Sequence, residues 1–288
     1  MAEISASNVV KLRQITSQGM MDCKKALEES GGDMDKAIQI LRKKGLAILA
    51  KRAERETTEG LIVSKSSPDG KIAALASLCS ETDFVSRSDD FIAAANTLAD
   101  CALACSADEG LDNILATSVK GKTFNATLTE VVSKTGEKVQ LGDFAKFRLT
   151  GPGLINVYIH FNKKVGTMVE ITADTDAVAK SEPIAKIAAD IAMHITATKP
   201  LALDESAISS EVIEQEKSIA AAQIKDKPAN IVDKIVEGKI KKFFADNCLL
   251  LQPFVKDNTK TVSQVLAEAA KQAGGKAQIK RYVRFEVG

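Results

Sequence analysis

Up to Gly45, apolar positions recur at helical spacing in three short bursts: Val9, Leu12 and Ile15; Met21, Ala26 and Leu27; and Met34, Ala37, Ile38 and Leu41. The third is the cleanest, at i, i+3, i+4 and i+7. Ser17-Gln18-Gly19 separates the first two bursts and Ser30-Gly31-Gly32-Asp33 the second from the third, with glycine ending one helix and Asp33 able to cap the next. The pattern predicts a compact three-helix unit ending near Gly45. The run Lys51-Arg52-Ala53-Glu54-Arg55-Glu56 has no apolar stripe and reads as a linker.

From Gly60 the period becomes that of strands. Leu61 to Val63 and Ile72 to Leu78 flank Ser66-Ser67-Pro68-Asp69-Gly70, a turn in which proline sets φ and glycine accepts a positive φ. A helix is predicted from Ser88, with Asp89 and Asp90 in its first turn, through Ala102. Shifting the chain by 93 residues then lays the segment from Lys71, without a gap, on the segment from Lys164. Thr82, Asp83, Val85, Ser88, Ala95 and Ala99 meet Thr175, Asp176, Val178, Ser181, Ala188 and Ala192. Each copy reads as strand, turn and capped helix. In the second copy the strands are Leu154 to Phe161 and Val165 to Ile171, hinged at Asn162-Lys163-Lys164, and the helix begins at Ser181-Glu182-Pro183, with proline in the first turn.

After Lys199-Pro200 come two long helical patterns, Ser209 to Ile224 and Ala229 to Phe244, separated by Lys225-Asp226-Lys227-Pro228 and read as an antiparallel hairpin. An alanine-rich helix from Thr261 to Gly274 and an alternating strand from Gln278 to Val287 complete the chain.

Composition narrows the function classes. The chain has 288 residues, room for two or three cores. Its 39 basic and 38 acidic side chains nearly cancel, which argues against nucleic acid as a partner. The five cysteines are scattered and odd in number, with no CxxC, so they imply neither a disulfide framework nor a zinc site. Met1-Ala2-Glu3-Ile4-Ser5 does not resemble a leader, and no run of apolar residues is long enough for a membrane span. These features predict a soluble cytoplasmic protein.

Reaction chemistry is thinly supplied. Gly121-Lys122-Thr123 has the tail of a phosphate-binding loop, but Ala116 stands where its first glycine belongs. The only histidines are His160 and His194. Cys101 and Cys105 share a helix face without a second ligand pair and read as buried thiols. No catalytic constellation, metal site or cofactor is expected.

Apolar residues in exposed places remain. Met20 and Met21 stand at the turn between the first two helices, either in the small core or as an adaptable contact surface. Phe84 is controlled by the repeat: its twin is Ala177, so a bulky side chain is not needed to hold the unit together. Phe84 is then either spare for function or packed on the helical unit or the linker. Thr82 and Val85, shared by both copies, are assigned mainly to the turn itself, and Asp83 is left ambiguous by its twin Asp176.

These residues resemble the elongation factor Ts family, bacterial exchange factors for the GTPase elongation factor Tu. The motifs are Leu12-Arg13 through Thr16 and Gly19 through Leu27; Thr82-Asp83-Phe84-Val85; Ile191 through Ile195; Lys199-Pro200; Gln252-Pro253-Phe254-Val255; and Arg284 through Gly288, in the family's order from end to end. The segment Asp246 to Leu251 departs from the usual family sequence, and the chain lacks the extra C-terminal helix of some members.

The resemblance implies an α+β fold. Residues 1–55 would form a ubiquitin-associated-like three-helix domain and linker. Residues 56–148 and 149–288 would form two duplicated subdomains with antiparallel sheets, the second carrying a hairpin at 204–245 that mediates dimerisation in some members. It also implies binding to elongation factor Tu with GDP, and promotion of GDP release so that GTP can rebind. Met20, Met21 and Lys24 would touch the partner's nucleotide-binding domain. Asp83 and Phe84, within Thr82 to Val85, would intrude beside its magnesium site, and Val165, Gly166 and His194 would belong to the second subdomain's contact surface. The chain itself would bind no nucleotide and catalyse no reaction. The rival readings are an adaptor for ubiquitin-like or peptide ligands without exchange activity, and a nucleotide-hydrolysing enzyme.

Overall fold

The computed structural model describes residues 4–16, 18–224 and 229–288. Met1 to Glu3, the predicted break at Ser17 and the predicted hairpin turn at 225–228 lie outside the described residues.

Helices α1 (Ala6–Thr16), α2 (Met20–Glu29) and α3 (Met34–Lys51) enclose a small core of Val9, Leu12, Cys23, Leu27, Ala37 and Leu41. Ile15, expected on the inner face, is exposed. The third helix does not stop near Gly45. Gly45 is kept inside it by a neighbour: a Cβ there would lie 2.6 Å from the carbonyl oxygen of Thr129. The glycine therefore permits close helix packing rather than ending a helix. Nor is the charged run a free linker, because Arg52 and Arg55 fold onto Glu81.

The rest of the chain is two versions of one plan. In the first, β1 (Glu59–Ser66) and β2 (Ile72–Ser80) form a hairpin around Gly70, whose φ of 70° is the one the turn requires. They are followed by the single turn α4 (Asp83–Ser86), α5 (Asp89–Ala104) and α6 (Leu111–Ala116). A tight hairpin of β3 (Ser118–Val119) and β4 (Lys122–Thr123) comes next, then α7 (Phe124–Thr135) and β5 (Val139–Arg148). The second version runs β6 (Gly153–Ile159), β7 (Val165–Ala173), α8 (Asp176–Ala179) and α9 (Glu182–Thr198). After α10 (Ser210–Ala222) and α11 (Ala229–Asn247) it resumes with β8 (Pro253–Phe254), β9 (Asp257–Thr261), α12 (Val262–Gln272) and β10 (Ala277–Glu286).

The duplication extends beyond the gap-free repeat. A shift of 138 residues lays the start of α7 on the start of α12, and the ten residues of β5 on those of β10. Thr123 and Thr261 cap the two helices, and Gly136 and Gly274 follow them at φ near 70–80°. The shift grows from 93 to 138, and the added residues are the insertion that carries α10 and α11.

Each half has a three-stranded antiparallel sheet, ordered β1-β2-β5 and β6-β7-β10. The two central strands are buried on both faces because each face is covered, and β7 includes the buried Glu170, which Lys280 and Arg281 pair. Ala74, Ala76 and Leu78 of β2 turn to the core under α5, whereas Ala73, Leu75 and Cys79 turn to the other sheet. Val169 and Ile171 of β7 likewise face α9, and Met168 faces the first half. The order is helix, sheet, sheet, helix. Ile62, Leu75, Phe147, Ile155 and Met168 form the layer between the sheets, each contributing about 1.5–3 kcal/mol on burial. The chain is α+β.

Candidate functional site

The Phe84 turn is built from its neighbours inward. Thr82 holds the N-cap, its hydroxyl accepting from Val85 N at 3.4 Å, and its backbone is extended before a single helical turn. Ser80 Oγ donates to Thr82 O at 3.0 Å, Ser86 Oγ to Asp83 O at 3.2 Å, and Ser88 Oγ to Val85 O at 2.8 Å while also capping α5. Val85 enters the core beneath α5. Phe84 is left pointing outward, 84% exposed. The alternative in which it packs on the helical unit is overturned. A large apolar side chain on a braced turn has little freedom to lose when it docks, and such rigid aromatics carry much of the energy at protein interfaces. Val85 itself is buried, and it holds the turn. Asp83 pairs with Arg87 at 3.2 Å, as Asp176 pairs with Lys180 at 3.6 Å. This i, i+4 pair therefore recurs without a bulky neighbour.

Met20 and Met21 occupy the first turn of α2, 43% and 63% exposed, so neither is a core residue. Lys24 lies one helical turn on, half-exposed and 3.8 Å from Glu28. The three form one apolar and basic face. Among the described residues no hydrogen bond or ion pair joins this face to the Phe84 turn.

The residues of the second half that the resemblance offers as contacts are buried or half-buried. Gly166 is buried between the sheets, where a Cβ would stand 2.7 Å from Ile62 Cγ2; its role is close packing. Val165, half-buried, pairs with Glu286 at the end of β10. His194 is fully buried in α9. Its Nδ1 accepts from Val255 N at 3.2 Å, its Nε2 lies 2.9 Å from Gln252 Oε1, and its ring stacks on Phe254 at 5.8 Å. With a proton on Nε2 alone, both ring nitrogens are satisfied. Burial holds its pKa below the ordinary 6.5, against the opposing effect of the hydrogen bond it donates to Gln252. His194 therefore positions the loop bearing exposed Val255.

The sequence pattern missed one exposed aromatic. Phe161, 87% exposed, stands at the tip of the β6–β7 hairpin, its ring 4.4 Å from that of His160. His160 Nδ1 is in turn 3.1 Å from Tyr158 Oη. The signal was available: an apolar residue directly before a polar turn, with Pro68 at the matching place in the first half.

Little else in the molecule suggests chemistry. Among the described residues no group of three or more His, Cys, Asp or Glu could hold a metal ion. All five cysteines are buried and unpaired, and burial pushes the Cys79 and Cys101 thiols up to about 11. Gly121 sits at φ 78° in the β3–β4 turn, and Lys122 pairs with Glu130. The residues that resembled a phosphate loop are thus a hairpin and a helix cap. Among the described residues no helix is long and apolar enough to cross a membrane.

Fold and surface thus define a duplicated α+β protein whose most exposed aromatics stand on braced turns. Residues 81–288 match the family model described as Elongation factor TS. The chain is 46% identical over 287 residues to elongation factor Ts of Nitratiruptor sp., covering 99% of this chain and 93% of that protein. It is 40% identical to elongation factor Ts of Nitratidesulfovibrio vulgaris, at 99% and 96% coverage, and of Chlorobium phaeobacteroides, at 100% of both. The chain belongs to the elongation factor Ts family.

Proposed function

We propose that this protein accelerates GDP release from elongation factor Tu in the cytoplasm by pressing Phe84 into the GTPase beside its magnesium and nucleotide site, without reaction chemistry of its own. Family membership supports the partner, and the exposed, braced Phe84 opposite an alanine twin carries the mechanism. GDP is held in such a GTPase by a backbone cradle and a magnesium ion bridging phosphate and side-chain oxygens. An aromatic ring driven between the adjacent helices spoils that geometry, while Asp83 competes for polar contacts. Linkage makes the effect reciprocal: GDP weakens binding of this protein by the factor by which this protein weakens GDP. Either nucleotide therefore releases it, and it turns over.

Met20, Met21 and Lys24 give the helical unit, residues 1–55, its own grip on the partner's nucleotide domain. Residues 56–148 carry the wedge, and residues 149–288 add a second grip through Phe161 and Val255, the latter held by His194. Release of mant-GDP from elongation factor Tu tests the reading. Phe84→Ala is expected to lose most of the acceleration, and undiminished release sinks the wedge.

A further inference from the structure

The two halves also differ in how the turn is held. One bond is shared: Glu81 Oε1 accepts from Lys138 N at 2.7 Å, and its twin Asp174 accepts through Oδ2 from Lys276 N at 3.1 Å. A carboxylate closing onto the approach to the last strand therefore belongs to the fold. Among the described residues, two further sets of bonds occur in the first half alone.

Arg52 Nη1 stands 2.8 Å from both carboxylate oxygens of Glu81, which is only 10% exposed, and Arg55 Nη1 lies 3.8 Å from Oε2. Lys138 Nζ donates to the carbonyls of Ala53 and Arg55 at 2.6 and 2.8 Å, fixing the chain that brings the arginines. Glu137 holds Thr82 twice, Oε1 accepting from Thr82 Oγ1 at 2.9 Å and Oε2 from Thr82 N at 3.2 Å. Donating to Glu137 turns the hydroxyl's lone pairs towards Val85 N, so the bond sets the cap in its capping orientation. The twin of Glu137 is Gly275, where a Cβ would lie 2.5 Å from Asp174 Oδ1. The second half has no room for this carboxylate, and at Ala177 it has nothing to brace.

We propose that Glu137 and the Arg52–Glu81 pair are positioning residues for the Phe84 turn, holding its cap and its leading residue and tying both to the end of α3. The proposal rests on the reading of Phe84 as the wedge. A wedge transmits force only if its mount yields less than the surface it opens, and bonds to ionised carboxylates are the stronger kind. The arginine also makes docking of the helical unit and placement of the ring a single event.

The full chain is compared with Glu137→Gly, which copies the second half, Glu137→Gln, which keeps an acceptor, and Arg52→Ala, each alone and with Phe84→Ala. In the free protein, amide hydrogen exchange at Val85, Ser86 and Arg87 is expected to quicken about tenfold in Glu137→Gly and less in Glu137→Gln. Leu75 and Leu98 should stay protected. Unchanged exchange at the turn overturns the clamp, whatever happens to GDP release. If Glu137→Gly loosens Leu75 and Leu98 as well, Glu137→Gln and Arg52→Ala decide by the same criterion. With elongation factor Tu and mant-GDP, Glu137→Gly is expected to slow release at saturating factor by about tenfold, and to add nothing to Phe84→Ala. A further loss on the Phe84→Ala background places Glu137 elsewhere in the interface and overturns the proposal. Intact release by Phe84→Ala alone removes the wedge reading, and turn protection still decides the clamp.

Discussion

The turns Thr82-Asp83-Phe84-Val85 and Thr175-Asp176-Ala177-Val178 trace one backbone in two surroundings. Their caps lie at φ, ψ of −125°, 159° and −140°, 157°, each threonine accepts from the backbone of the valine, and each valine is buried. What both copies keep is what the turn needs to fold; what one alone carries is free for another use. Phe84 is the largest such difference, and Glu137 opposite Gly275 the next. The same test separates the helices behind the turns. Thr129 and Ser133 of α7 are small and buried under α3, whereas their twins on α12, Ala267 and Lys271, are exposed. The helical unit therefore docks on one half because that half offers a close, small-residue face.

The largest predicted effect makes the two turns alike. Phe84→Ala is expected to cut the acceleration of GDP release by about a hundredfold, the scale of a dominant interface residue, with unfolding free energy changed by less than about 0.5 kcal/mol, as for an exposed site. Stopped-flow release and urea unfolding read the two quantities. A stability loss of several kcal/mol would place Phe84 with the fold and erase the distinction between the copies.

Next comes the core of the second half. The twin of His194 is Cys101, an apolar-core thiol, so the histidine bonds to Gln252 and Val255 are a local addition. His194→Ala strands both partners and is expected to cost about 2–3 kcal/mol. The pH dependence has a definite sign. Because burial depresses the folded pKa below 6.5, this contribution is complete above pH 6.5 and fades as pH falls through the folded value. Wild-type unfolding free energy should therefore drop between pH 7.5 and 5.5 by more than that of His194→Ala. Parallel curves would remove the titration from His194.

Much of this was legible because periodicity and caps act locally. The strand pairs around Pro68-Asp69-Gly70 and Asn162-Lys163-Lys164, the helix starts at Ser88 and Ser181, and the alanine twin of Phe84 all follow from neighbouring residues. What escaped depends on distant partners. Gly45 reads as a helix end until Thr129 is seen against it, and Gly166 reads as surface until Ile62 is. His194 is sated by a loop some sixty positions away. The second stretch of the duplication was hidden by the α10–α11 insertion, which breaks a gap-free comparison, and it left α7 and β5 without a predicted element. Phe161 was absorbed into a strand by its alternation.

A smaller effect tests why the helical unit chooses the first half. Gly45→Ala gains about 1 kcal/mol of helix propensity but drives a methyl group to 2.6 Å from Thr129 O, an overpacking worth about 1–3 kcal/mol. The expected net loss is about 1 kcal/mol, restricted to docking of α3. Amides of α3 should lose protection while those of β7 and α9 do not. A gain in stability would mean that the close approach to α7 is not required.

The smallest predicted difference decides what Asp83 does. Its pair with Arg87 is exposed and repeated by Asp176 with Lys180, so removing either charge should change stability by no more than about 0.5 kcal/mol. If Asp83 only completes the turn, Asp83→Asn and Asp176→Asn will be indistinguishable in GDP release as well. If its carboxylate competes beside the partner's magnesium, Asp83→Asn alone will slow release, by about tenfold for one charged contact, at equal stability. Equality of the two variants in release would assign Asp83 to the architecture shared by both halves and leave Phe84 as the single functional departure within the turn.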